Sequence, residues 1–218
     1  MKNSYSIFDI VGPIMIGPSS SHTAGANRIA GFARKIGGKG YTKAEFYLHG
    51  SFAKTYRGHG TDRALVGGVL GFGPDDERIV DSFKYASEEG LTYTFLPTDL
   101  GDVHPNTVKI VLTYPDHTFS LTGCSIGGGN IKIININGNN VEFYGKNPTI
   151  ICTYPEQKGM IAFISNALYD EGYNIHSMKT IQNEDEVMLI VELDEKLNED
   201  LQKKISKGKN FGFFKYLD

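Results

Sequence analysis

"TIICTYPEQKGMIAFISNALYDEGYNIHSMKTI", residues 149–181, runs from an apolar stretch through a helix-period stretch and back to an extended one. "TIICTY" reads as a strand, "KGMIAFISNALYDEG" as a helix and "YNIHSMKTI" as a second strand. Beyond them "DEVMLIVEL" reads as a third strand, "NEDLQKKIS" as a helix and "NFGFFKYL" as a last strand. The order is βαββαβ, that of a ferredoxin-like unit. Just upstream, "GKNP" at Gly145–Pro148 interrupts the pattern, and the expected domains are therefore 1–147 and 148–218.

The first domain carries a different alternation. Ala26, Ile29, Ala30, Ala33 and Ile36 recur at helical spacing, and "GGKG" stops them. In "KAEFYLHG" the apolar Ala44, Phe46 and Leu48 alternate with polar neighbours, as in a half-buried strand. "TDRALVGGVLGF" and "DDERIVDSFKYASEEG" each read as one helix, the second with Ile79, Phe83 and Ala86 on one face and Gly90 as its stop. "LTYTFL" reads as a strand. "TVKIVLTY" pairs with "HTFSLTGCSI" through "PD", and "NIKIINI" with "NVEFYG" through "NGN". The whole is expected to be α/β (α+β), with no internal repeat.

Composition excludes several classes of function. The 218 residues hold 22 basic and 25 acidic side chains, a formal net charge of -3, without a strongly basic run, which disfavours nucleic-acid binding. The start "MKNSYSIFDIVGP" lacks a basic stretch followed by a long apolar one, and no run of about 18 apolar residues occurs, so a cytoplasmic protein without a membrane segment is expected. Cys124 and Cys152 are the only cysteines and form no CxxC, which leaves neither a disulfide framework nor a self-sufficient zinc or iron-sulfur site.

Two Gly-flanked polar loops stand out. "GPSSSHTAG", Gly17–Gly25, puts Ser19, Ser20, Ser21, His22 and Thr23 just before a helix, where Ser20 or Ser21 would serve as N-cap. Backbone N–H groups at a helix start, with movable hydroxyl donors beside them, suit a carboxylate or a phosphate; a helix cap in a solvated loop is the other reading. A hydrolytic Ser-His pair is disfavoured, because the adjacent Ser21 and His22 diverge on a helix and no nucleophile elbow surrounds them. "HGSFAKTYRGHGTD", His49–Asp62, sets His59 between two glycines, free to approach a ligand or simply to face solvent. "DVHPNT", with His104 and Asn106, and "CSIGGGN" are weaker candidates. Gly127–Gly129 fits either a close approach to substrate or a wide turn between strands.

"SIFDIVGPIMIGPSSSHTAGANRIA", "GSFAKTYRGHGTD", "GGVLGF", "DERI", "HPNT" and "SIGGG", in that order, closely resemble the beta-subunit family of bacterial two-subunit, iron-sulfur-dependent L-serine dehydratases. The likeness covers nearly the whole chain. It implies a serine dehydratase beta domain, resembling the regulatory substrate-binding domain of D-3-phosphoglycerate dehydrogenases, followed by an ACT domain. It implies conversion of L-serine to pyruvate and ammonia without pyridoxal phosphate, using a 4Fe-4S cluster held by cysteines of an alpha subunit. By the same resemblance His59 matches the base that takes the substrate's α-proton, His22 a second catalytic candidate, and Ser19, Ser20, Ser21 and Thr23 the substrate loop. A subunit that only senses serine is the alternative. ACT domains pair and bind small amino acids, which makes Gly159 and Asn174 candidate effector residues and self-association through this domain an expectation. Here "YPEQKGM" spreads Pro155 and Gly159 apart, where relatives have a tight Pro-Gly, so a purely structural pairing role stands beside effector binding.

Overall fold

A computed structural model describes residues 14–183 and 186–218. The front of the substrate-loop motif, residues 6–13, lies outside the described residues, as does the N-terminal segment read for a leader. The chain forms two compact units, the first ending at Tyr144 and the second running Gly145–Asp218.

In the first unit, Lys43–Leu48 buries Ala44, Phe46 and Leu48 and forms β1. Alternation of this kind commits one face of a strand to the core. β2 (Thr92–Pro97) runs parallel to β1, with Phe46 opposite Phe95. β3 (Thr107–Thr113), β4 (Thr118–Gly127), β5 (Asn130–Ile136) and β6 (Asn139–Phe143) follow as antiparallel neighbours. The six-stranded order is β2-β1-β3-β4-β5-β6. Between β4 and β5, Gly128 (φ 59°) and Gly129 (φ 75°) are the two central residues of the turn. Two consecutive positive φ values define a tight type I′ hairpin, and glycine meets that demand without steric cost. Gly127–Gly129 thus belongs to a turn between strands, and a tight one where a wide one was the expectation.

The parallel pair β1–β2 is joined through helices, as a parallel crossover requires. α1 (Ala26–Gly37) buries Ala26, Ile29, Ala30, Ala33 and Ile36 and lies against β3, β4 and β5. After β1 come α2 (Gly50–Thr55) and α3 (Thr61–Leu70). In α3 every residue from Ala64 to Leu70 is buried, so it is a central helix packed against α1 rather than a surface one. The expected single helix after it is two pieces: a 3₁₀ turn, Glu77–Asp81, and α4 (Ser82–Glu88). Asp76 caps the first piece by accepting from the Arg78 N–H, and Asp81 (φ −109°, ψ 21°) leaves helical geometry and separates the two.

In the second unit β7 (Thr149–Pro155), α5 (Met160–Asp170), β8 (Ile175–Asn183), β9 (Glu186–Leu193), α6 (Glu199–Gly208) and β10 (Phe213–Leu217) follow one another. The antiparallel order β10-β7-β9-β8 places the first and third strands at the centre, the ferredoxin-like arrangement. Ile150, Cys152, Val187, Leu189 and Val191 pack against Met160, Ile164, Leu168, Leu201 and Ile205 of the helices. The opposite side of the central strands is not bare: Ile151, Met188 and Ile190 are 0, 2 and 1 % exposed. β8 is an edge strand with mostly exposed or half-buried side chains.

Candidate active site

Ser20–Gly25 is a single π-helical turn running directly into α1. Such wide turns are rare and often mark functional positions. The cap is Ser19, one residue earlier than expected: its backbone is extended and its Oγ accepts the His22 N–H at 3.1 Å, while its carbonyl accepts the Thr23 N–H at 2.8 Å. Ser20 opens the turn. Ser21 Oγ lies 3.2 Å and Ser19 Oγ 3.5 Å from His22 Nδ1. Thr23 is buried, and its hydroxyl donates to the His59 carbonyl at 3.0 Å, fastening the hydroxyl loop to the histidine loop.

The two loops that are 36 residues apart in sequence thus meet through this bond, and they bring two imidazoles together. The His22 and His59 rings have centroids 4.9 Å apart, and Phe52 of α2 meets His22 edge-on at 5.4 Å. Burial pulls the His22 imidazole below its ordinary range, and the neighbouring His59 adds to the effect. Both changes disfavour the imidazolium, so His22 is neutral at neutral pH. His59 Nδ1 is buried and has no hydrogen-bond partner among the described residues. A buried nitrogen left so is paired in the working state or held for a ligand, because leaving it unpaired costs free energy. Thr61 Oγ1 and Ser125 Oγ are also buried without partners among the described residues.

Two residues escaped the sequence reading. Ser51 Oγ lies 2.9 Å from His22 Nε2, although it sits inside the motif quoted for His59. Ser125 packs on the π turn so closely that a Cβ at Gly25 would lie 2.1 Å from Ser125 Oγ. The third loop supports both: the Pro105 carbonyl accepts the Ser51 N–H at 2.8 Å and the Asn106 carbonyl accepts the Ser125 N–H at 3.0 Å. His104 Nδ1 accepts the Asn106 N–H, so His104 shapes this loop. Arg28 ties the β4–β5 turn to α1 by donating to the Gly129 carbonyl at 2.8 Å.

The candidate effector residues are not brought together within the chain. Gly159 (φ 88°) precedes α5 and borders a cleft of about 670 Å³ lined by Tyr154, Met160, Thr180 and Gln182. Asn174 follows α5, at its other end, and donates to Asp194. Cys124 lies on β4 of the first unit and Cys152 on β7 of the second. Cys124 is buried, which raises its thiol pKa, and burial pushes Cys152 up to about 12. Among the described residues no group of His, Cys, Asp or Glu is arranged to hold a metal ion, and no helix is long and apolar enough to cross a membrane.

Replacing Ser19 by Ala is expected to destabilise the chain by about 1 kcal/mol, the usual cost of a lost N-cap. Urea unfolding read by far-UV circular dichroism measures it, and an unchanged midpoint would show that Ser19 does not act as a cap.

Residues 6–89 match the family model described as serine dehydratase beta chain. The chain is 52 % identical over 218 residues to the L-serine dehydratase beta chain of Peptoniphilus asaccharolyticus, covering 98 % of each. It is 39 % identical over 207 residues to the probable L-serine dehydratase beta chain of Bacillus subtilis (strain 168), covering 94 % of each. A more distant likeness, 23 % over 159 residues, spans 72 % of this chain and 30 % of the D-3-phosphoglycerate dehydrogenase of Bacillus subtilis (strain 168).

Proposed function

The chain belongs to the serine dehydratase beta chain family, and from that membership and its two joined loops we propose that it binds L-serine and takes its α-proton, forming with an alpha subunit an L-serine ammonia-lyase. The observation that carries the reading is the meeting of the hydroxyl turn with His59, whose Nδ1 is buried and unpartnered beside a neutral His22. The His22 and Thr23 N–H groups being taken by Ser19, the Ser20 and Ser21 N–H groups and hydroxyls offer donors to the substrate carboxylate. The His59 ring takes the proton from Cα. The electron pair released forms the Cα–Cβ double bond as the β-hydroxyl leaves. The aminoacrylate so formed tautomerises to an imine, which water hydrolyses to pyruvate and ammonia.

This chain's thiols do not fit a 4Fe-4S cluster, since there are two of them, one in each unit, and no His, Cys, Asp or Glu side chains gather as ligands among the described residues. We place that cluster, as the family resemblance implies, on the alpha subunit, and derive no step here through it. Pairing of the second unit with a copy of itself is proposed through β8, one of the two edge strands of its sheet and the longer of them.

The test is anaerobic co-expression of the chain with its alpha partner, followed by an assay of pyruvate from L-serine. Serine turnover is expected only from the assembled pair. Turnover by either chain alone, or none by an assembled iron-replete pair, would overturn the reading.

A further inference from the structure

Resting on the carboxylate-binding reading above, we propose that Ser51 is a positioning residue: its hydroxyl donates to His22 Nε2, fixes His22 as the Nδ1–H tautomer, and so turns the Ser21 hydroxyl proton out toward the ligand. Ser51 is itself fixed. Its N–H donates to the Pro105 carbonyl at 2.8 Å and its carbonyl accepts the Thr55 hydroxyl at 2.8 Å. Its Oγ lies 2.9 Å from His22 Nε2, and the His22 ring is flanked by Phe52 and His59.

Donor and acceptor counting selects the tautomer. A hydroxyl has one proton and two lone pairs, and a neutral imidazole has one N–H and one lone pair. At Nδ1 two serine oxygens converge, Ser21 at 3.2 Å and Ser19 at 3.5 Å, so a proton there finds two acceptors. At Nε2 the single partner among the described residues is Ser51 Oγ, whose proton then has the ring lone pair to meet. In the opposite tautomer one ring lone pair would face two hydroxyls, and the Ser51 proton would lose its acceptor. With Nδ1–H in place the Ser21 oxygen accepts from the ring and its own proton points away from the ring; the acceptor the chain itself offers is Ser19 Oγ at 3.4 Å, a long contact over which a ligand carboxylate at normal distance wins. The turn thereby gains a donor directed at an anion, held from across the fold by a residue that need not touch substrate.

The experiment uses the full-length chain with ¹⁵N-labelled histidine and long-range ¹H–¹⁵N spectra at neutral pH, His22 being assigned by its loss in His22→Gln. Expected are a protonated Nδ1 and an unprotonated Nε2 at His22 in the wild type and in Ser51→Thr, and a shift toward the Nε2–H form in Ser51→Ala. A wild-type Nε2–H form, or an unchanged tautomer in Ser51→Ala, would overturn the proposal. In the assembled enzyme Ser51→Ala should raise KM for L-serine about tenfold, the worth of roughly one polar contact, with Ser51→Thr restoring it. An unchanged KM in Ser51→Ala would break the link from Ser51 to the ligand. Absence of serine turnover in the wild-type pair would count against the functional reading alone, since the tautomer is measured without substrate.

Discussion

His59→Asn is expected to lower L-serine turnover by about a hundredfold or more, because a positioned general base contributes 10²–10⁴. The reason for choosing this ring over its neighbour is electrostatic and geometric. His22 is held at both nitrogens by serine hydroxyls and is disfavoured as an imidazolium by burial and by His59 itself. His59, by contrast, keeps a ring nitrogen that no side chain or backbone group among the described residues satisfies. Exchange of the substrate α-proton with solvent deuterium should fall in parallel with turnover. Iron content and association with the alpha subunit should not change, since His59 is joined to the fold through its backbone, by the bond from Thr23. Normal turnover and normal exchange in an assembled His59→Asn enzyme would leave this chain with the serine-sensing role alone.

The periodicity that placed Ala44, Phe46 and Leu48 on one face and Ile29, Ala33 and Ile36 on another was visible because burial acts locally on pattern. The βαββαβ order of the second unit was visible for the same reason, each element being short and separately periodic. Strand order was not. β1 and β2 are parallel neighbours although about fifty residues separate them, and only packing of the intervening helices makes them so. Propensity also gave way to local geometry: the cap is Ser19, whose backbone is extended, and the Glu77–Glu88 helix breaks at Asp81. At the site, sequence motifs supplied His22, His59 and the serines, since each sits in a conspicuous Gly-flanked loop. Ser51 and Ser125 lie within such motifs as well, but nothing in the motifs singles them out from their neighbours. Their roles come from contacts across 29 positions, to His22, and across a hundred, to Gly25, which no local pattern encodes.

Gly25→Ala is expected to destabilise the chain by about 1–3 kcal/mol, the cost of overpacking. Gly25 has φ −63° and ψ −44°, ordinary helical values that any residue adopts. On backbone grounds alone the change should stabilise by about 0.4–1 kcal/mol, through the unfolded state. Space decides the sign instead: a Cβ there would lie 2.1 Å from Ser125 Oγ and 2.7 Å from Ser125 Cβ. Because the Cβ of Ser125 is involved, rotating its hydroxyl does not relieve the clash, and the π turn must move off β4. That turn carries His22 and the serines, so turnover should fall at least tenfold, as small misplacements in an active site do. Ser125→Gly removes both clashing atoms. The double variant Gly25→Ala/Ser125→Gly should therefore recover much of the lost stability and turnover, giving a coupling of about 1–3 kcal/mol in a double-mutant cycle read by urea unfolding. If the two changes were simply additive, contact with β4 would not be what sets the position of the π turn, and its unusual geometry would have to originate within Ser19–Gly25 itself.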